Sequence, residues 1–322
     1  KIDWLESNNE YWILRDAKLR TDFNVTTGVR NDVVDLIKYK SKMKACYAAA
    51  GVPTARCHLC TTMEEDLKFI AEVEYPVIVK PDNGVGAAAT YKLKNDDDLK
   101  NFYETKPADV PYLMEEFVNG TIVSYDGICD SNRKPIFETS HYFPDPIMDI
   151  VLDVKEVFYW SEREIPEDLK DAGRRTIAAF PTQNRFFHCE FFRLNEDKKG
   201  LGKKGDIVGL EVNMRPPGGY TPDMMNFANN INVYQIWADM VAFDKSEYDR
   251  NRPYHCVYVG RRDGRNYIHT MPEIVSMYSN NIRMQERLPE VLSGAMGNDT
   301  VLAVFETKEQ VFDFVKTVLA TH

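Results

Sequence analysis

The 322-residue chain has no apolar run approaching the ~18–20 residues needed to span a bilayer. No signal-peptide pattern opens it. Its first residue is Lys1 and not Met, which leads us to expect that an upstream segment has been removed. An excess of basic residues is also missing: 40 Lys and Arg stand against 50 Asp and Glu, a formal charge of −10. An acidic surface argues against nucleic acid or an anionic membrane as partner, although a local basic pocket can still hold phosphates. Cysteine is sparse, with six residues scattered at 46, 57, 60, 129, 189 and 256. That spacing is no disulfide framework in a chain of this size, so a reducing, cytoplasmic setting is expected. Cys57-His-Leu-Cys60 has no second Cys pair to complete a zinc site. Its cysteines read better as small apolar strand residues.

What is present suffices for a core. Hydrophobic residues make up 43% and charged residues 28%, which suggests two or three structural units. Asn31-Asp32 predicts a helix running to about Ala50, where Gly51 and Pro53 stop it. Residues 54–60 read as strand. Thr62-Met-Glu-Glu65 is a capping box for a helix to about Val73. Pro76–Lys80 reads as strand, and a glycine loop and a second strand at 89–94 follow it. Asn95 and the aspartates 96–98 open a short helix, where negative charge suits the helix dipole. Strands are expected at 112–118, 121–129 and 134–143, a helix at 166–180, strands at 186–194 and 206–215, and a helix at 232–242. The last 70 residues, 253–322, look less regular. The class is α+β with antiparallel strand pairs.

Glu211, Asn213 and Arg215 alternate in IVGLEVNMRPPGG, so a strand would aim all three to one face. On the preceding strand, His188 and Glu190 share a face, with Cys189 and Phe191 opposite. A hairpin centred on Gly200-Leu201 places Glu190 opposite Glu211 and His188 opposite Asn213. Cross-strand neighbours lie about 5 Å apart. Two carboxylates at that spacing repel unless a cation sits between them. Mg²⁺, which takes hard oxygen ligands, is the natural candidate. A solvated polar face is the plain alternative, but Phe186, Phe187, Phe191 and Phe192 put bulk on both faces and suggest a covered hairpin.

In Pro76–Thr90 a strand ends at Lys80 and a small-residue loop follows. Gly84 and Gly86 could let backbone N–H groups close around phosphate, with Lys80 adding charge. No Gly-Lys-Ser/Thr follows, so it is no Walker loop. Gly84-Val-Gly-Ala-Ala-Ala89 fits a dinucleotide fingerprint only formally, because strand and not helix follows. A plain hairpin turn stays open.

Taken together, a Lys ahead of Ala-Gly-Val-Pro, Val-Lys-Pro with its glycine loop, Met-Glu-Glu-Phe-Val-x-Gly, and Glu followed by Glu-x-Asn-x-Arg-x-x-Gly-Gly resemble the ATP-grasp superfamily over about residues 40–240. That resemblance implies two α+β subdomains clamping ATP between antiparallel sheets. The expected division is a remnant α/β domain and linker helix at 1–50, a lid subdomain at 51–119, a core subdomain at 120–252 and a C-terminal extension at 253–322. Only some forty residues precede Lys40, so the family's opening domain is expected to be incomplete or absent. The resemblance carries phosphate binding to Lys40 (Lys42 is the second register) and Lys80. The flap falls on Asp82–Ala88, including Gly84, Val85, Gly86 and Ala87. Glu115, Glu116, Phe117 and Val118 form the hinge, with the backbone of 116 and 118 on adenine. Glu190, Glu211 and Asn213 are the implied Mg²⁺ ligands, with Mn²⁺ as a substitute. Arg215 and Lys80 are the implied catalytic cations. His188, Gly218 and Gly219 are placed beside the acceptor substrate. Ile122 stands where many members carry a ribose-binding acid.

The implied activity joins a small carboxylate, activated as an acyl phosphate, to an amine. Two alternatives stay open: carboxyphosphate chemistry as in biotin carboxylases and carbamoyl phosphate synthases, and a non-catalytic ATP-binding regulator. The expected partners are small-molecule carboxylate and amine, with a homodimer left open. His141 lies on a strand of unknown exposure. The Lys198, Lys199, Lys203 and Lys204 cluster reads as a solvated loop, and Met224, Met225 and Trp237 as core or pocket wall.

Overall fold

The computed structural model describes residues 2–84, 89–145, 150 and 154–322. Among these residues, twelve strands form two antiparallel sheets. The smaller sheet has the order β1-β4-β2-β3, from β1 (Cys57–Leu59), β2 (Val77–Pro81), β3 (Tyr91–Leu93) and β4 (Tyr112–Glu116). Helices Met63–Val73 and Asp96–Thr105 cover it, and Val77, Val79, Leu99, Phe102, Tyr112 and Met114 form its core. Both helices start where expected, with Thr62 accepting from Glu65 N–H and Asn95 from Asp98 N–H. The Glu65 side chain accepts from Lys68 at 2.7 Å, so Thr62 supplies only half of the expected capping box.

The larger sheet has the order β11-β12-β10-β7-β6-β5-β8-β9. Its strands are β5 (Gly120–Cys129), β6 (Pro135–Phe143), β7 (Val157–Ser161), β8 (Arg185–Leu194), β9 (Ile207–Asn213), β10 (His255–Arg261), β11 (Ile282–Arg287) and β12 (Asp299–Phe305). One face packs on helices Lys40–Ala49 and Glu167–Ala179 through Tyr47, Tyr125, Phe187, Cys189, Phe191, Val212 and Met214. The opposite face carries His188, Glu190, Glu211 and Asn213 toward the smaller sheet. Among the described residues no helix is long and apolar enough to cross a membrane.

The structure departs from the sequence reading in three places. The helix expected from Asn31 to Ala50 is two helices, Asp35–Lys38 and Lys40–Ala49, broken at an extended Tyr39. The break is made from outside: Asp82 O accepts from Lys40 N–H at 2.9 Å, and the Asp82 carboxylate accepts from Ser41 N–H and Oγ, each at 2.7 Å. A carboxylate from another segment thus caps the helix N-terminus, where negative charge is favoured. Second, Thr221–Asn229 is a helix, with Pro222 in its first turn and Asn230 left-handed at its end. It buries Met224 and Met225 fully. Third, residues 253–322 are regular. Strands β10–β12 extend the large sheet, and helices Met271–Met277 and Lys308–Leu319 open on complete capping boxes, Thr270/Glu273 and Thr307/Gln310. The segment expected as an extension is therefore built into the sheet.

The N-terminal stretch is tied to the sheet by charge. Fully buried Arg20 and Arg185 share the Glu6 carboxylate at 2.7 and 3.1 Å. Arg185 also donates to Met214 O at 3.1 Å, beside the end of β9. This clamp fixes the segment that carries Glu10.

Candidate active site

The β8–β9 hairpin pairs as its sequence predicts, with Glu190 opposite Glu211 and His188 opposite Asn213. Strict alternation does not survive along β9. Between the Glu190–Glu211 and Phe191–Gly209 pairs the register shifts, leaving Leu210 as a bulge. Gly209 lies against Tyr47, where a Cβ would come within 2.5 Å of the ring. Leu210, which strict alternation would turn away from Glu211, lines the cavity instead.

That cavity, about 580 Å³, opens between the two sheets. Ile78, Phe117, Val118, Ile122, Phe192 and Leu210 give it an apolar end. Lys40, Lys44, Lys80, Glu115, Glu190, Glu211, Asn213, Arg215 and Gly218 give it a charged one. Lys40 Nζ bonds Gly84 O at 2.8 Å and lies 3.2 Å from Glu211 Oε1. Lys42 faces outward and pairs with Asp35, which removes the second register. Lys44, which sequence reasoning passed over, pairs with Glu115 inside the cavity. Its signal was available: it stands four residues after Lys40, on the same helix face.

Glu115 is a charge hub, with Lys80 Nζ at 2.6 Å and Lys44 on its other oxygen. Burial pushes its pKa up, but the two ammonium groups outweigh that and hold it at about 2. Burial likewise lowers the Lys80 pKa, and Glu115 and Glu211 more than reverse it. A depressed carboxylate contributes stability that is present above its ordinary value of 4.5 and is lost as pH falls toward about 2. Acid unfolding is therefore expected to steepen over that interval. Glu115→Gln should flatten it in pH-dependent thermal melts; an unchanged profile would show that the hub does not contribute.

Glu116 is not free to the solvent. Its carboxylate accepts from Arg56 N–H at 2.8 Å and from the Arg56 guanidinium at 2.7 Å, with Lys198 at 3.7 Å. Lys198 therefore leaves the solvated cluster. Arg215 sits between the cavity and the N-terminal segment. Its Nε is 3.8 Å from Glu10 Oε2, and it donates to Pro216 O at 2.8 Å and Asn213 Oδ1 at 3.5 Å. Gly218 faces open space, where a Cβ would meet nothing within 4 Å. Gly219 has φ +60°, and its Cβ would strike Met296, so it packs beneath the loop.

His188 is buried at the cavity wall. Burial lowers its pKa, but Asp126 overcomes this and Glu190 adds to the rise, bringing it to about 9. Glu190 lies below its ordinary value: burial raises it, and His188 and Arg215 pull it down further than that. His141 is fully buried and bonded to Asp126, away from the cavity lining. Asp82, expected in a mobile flap, is buried and fixed to Ser41. Val85, Gly86, Ala87 and Ala88 of the expected flap lie outside the described residues. Cys57 and Cys60 carry free thiols, and among the described residues no group of three or more His, Cys, Asp or Glu is arranged to hold a metal. The oxygen set at the hairpin is smaller, two carboxylates and one amide. Facing carboxylates next to a side-chain carbonyl suit a hard divalent ion that completes its shell with phosphate and water.

The arrangement of two antiparallel sheets around a charged cavity matches the ATP-grasp fold of solved structures. Residues 39–120 match the family of carbamoyl-phosphate synthase L chain ATP-binding domains. D-alanine–D-alanine ligase B of Clostridium perfringens is 35% identical over 101 residues, 31% of this chain and 33% of that protein. The L-amino acid ligase of Bacillus licheniformis superimposes with a TM-score of 0.71 at 15% identity, over 98% of this chain and 78% of that one. The biotin carboxylase domain of Hydrogenobacter thermophilus 2-oxoglutarate carboxylase, solved with MgADP and bicarbonate, superimposes with a TM-score of 0.64 at 14% identity, over 96% and 70%. The chain spans between a tenth and a third of the length of the curated relatives it matches.

Proposed function

We propose that the chain is an ATP- and Mg²⁺-dependent ligase that phosphorylates a small carboxylate and passes the acyl group to an amine. The observation that carries this reading is the convergence of Glu190, Glu211, Asn213, Arg215 and three lysines on one cavity between two sheets. A carboxylate is a poor electrophile because its leaving group would be oxide. Phosphorylation gives it a good one, provided the triphosphate's charge is offset as it transfers.

Each part of the cavity has a place in that chemistry. Adenine enters the apolar end, against Val118, Phe192 and Leu210. Glu116 N–H is already bonded to Arg56 O, so its carbonyl is the group left for the adenine edge. Ile122 supplies no acid for the ribose. Thr121 and Asn195, joined by a 3.1 Å hydrogen bond at the cavity wall, are the polar side chains positioned for its hydroxyls. Lys40, Lys44 and Lys80 meet the phosphates. Glu190, Glu211 and Asn213 would hold Mg²⁺, which when bound offsets phosphate charge. Arg215 orients the acceptor carboxylate beside the open space over Gly218. The smaller sheet, within 51–119, acts as the lid over the 120–252 half and excludes water that would hydrolyse the acyl phosphate. The six free thiols fit a reducing compartment.

Lys80→Ala removes a buried contact to a charged group, about 1.5–3 kcal/mol, so ATP should bind about 10–100-fold more weakly. Isothermal titration with ATP measures this, and unchanged affinity would remove Lys80 from the phosphate site. The reading as a whole is tested by a panel of carboxylates and amines assayed for ADP and phosphate release. Release that needs both a carboxylate and an amine supports it. Release with bicarbonate alone assigns carboxyphosphate chemistry instead, and ATP binding without turnover under any condition assigns a regulator.

A further inference from the structure

Behind the cavity wall lies a polar cluster to which the chemistry above gives no role. Asp126, on β5, is fully buried and stands opposite His188 on β8. Its carboxylate accepts from the Ser124 hydroxyl, from His141 Nδ1 at 2.7 Å and from His188 Nδ1 at 2.5 Å. An ionised carboxylate only accepts hydrogen bonds, so the ring nitrogen of His188 that faces it must carry the proton. This fixes the ring. With Nδ1 committed to Asp126, Nε2 points the other way, to 3.7 Å from Glu190 Oε1. Ser124 and Asp126 alternate on the same sheet face, and Ser124 stands opposite Glu190 itself.

We propose that Asp126 is a positioning residue for Glu190: it fixes the ring of His188, whose Nε2 edge stands against the Glu190 carboxylate and limits the orientations that carboxylate can take toward a metal. The inference rests on the reading of Glu190 and Glu211 as Mg²⁺ ligands. A purely stabilising role explains the cluster poorly. Buried charged groups at the centre of a sheet are often matched or bettered by apolar side chains of similar size. What distinguishes this cluster is its direction. Of the three donors to Asp126, His188 is the one that lines the cavity, and its other ring nitrogen faces the Glu190 carboxylate. Partners of this kind, one step removed from the metal, hold ligand orientation and alter metal affinity about 10–100-fold when removed.

Mn²⁺ is the probe. Its binding to the full chain, with the non-hydrolysable analogue AMPPNP present, is followed by electron paramagnetic resonance for wild type, Asp126→Asn, His188→Asn and Glu211→Gln. The expected result is Mn²⁺ affinity about 10–100-fold weaker in Asp126→Asn and His188→Asn, with metal-free AMPPNP affinity unchanged. If Asp126→Asn does not fold, His188→Asn and a measurement on the unaltered chain carry the test. In ¹⁵N-histidine-labelled wild type, which holds six histidines, His188 should show a protonated Nδ1, assigned by the signal that His188→Asn removes. A bare Nδ1 at His188 would overturn the proposal. So would unchanged Mn²⁺ affinity in the folded Asp126 and His188 variants when Glu211→Gln loses the ion. Unchanged Mn²⁺ affinity in Glu211→Gln would instead overturn the metal-site reading, and this inference with it.

Discussion

Glu211→Gln is expected to leave a folded protein whose ADP formation falls by at least about 10²–10³-fold, the scale on which a group that stabilises charge in the transition state acts. The substitution keeps the size of the side chain and removes its charge. Two effects on stability oppose each other. Glu211 faces Glu190 across the hairpin, and like charges directly opposite are unfavourable, so losing one relieves repulsion. Lys40 loses a partner at 3.2 Å but keeps its 2.8 Å bond to Gly84 O. The melting temperature should therefore change little while turnover collapses. Steady-state kinetics over a range of Mg²⁺ concentrations, with thermal melts of the same samples, measure both. Wild-type turnover in Glu211→Gln would remove it from the site.

The second large effect is at Arg215. Arg215→Lys keeps the charge and loses the planar fork that suits carboxylate and phosphate oxygens. A fall of about 10²-fold in kcat is expected, with ATP affinity little altered, because the arginine acts mainly as charge moves. The alternative is structural. Arg215 is paired not with Glu190 or Glu211 but with Glu10 at 3.8 Å, on the segment held by the Glu6–Arg20–Arg185 clamp. A lysine can keep such a loose pair, so stability should survive. A large drop in melting temperature with unchanged activity in the folded fraction would assign Arg215 to holding that segment.

What could be read from the residues divides along physical lines. The register of β8 against β9 was legible because two carboxylates and their flanking phenylalanines constrain both faces of a hairpin. Its bulge at Leu210 was not, since the shift depends on Gly209 meeting Tyr47 from a distant helix. The break at Tyr39 was hidden for the same reason: Asp82, 41 residues after Ser41, caps the helix that starts at Lys40. Other misses had local signals. Lys44 follows Lys40 by one helical turn. Thr270/Glu273 and Thr307/Gln310 are capping boxes in a region that looked irregular. Asp126 precedes a glycine and so resembles a turn residue. Its alternation with Ser124 on the face of Glu190 was visible only once β5 was known to pair with β8.

The central claim is that nucleotide and metal meet between the two sheets, with the metal on the β8–β9 hairpin. A crystal structure of the chain with AMPPNP and Mn²⁺, with anomalous diffraction recorded at the manganese edge, tests it most directly. The account predicts an anomalous peak bridging Glu190 and Glu211 with Asn213 beside it, phosphates on Lys40 and Lys80, and adenine at the Glu116–Val118 backbone. Nucleotide bound elsewhere, or manganese that touches neither glutamate, would contradict it.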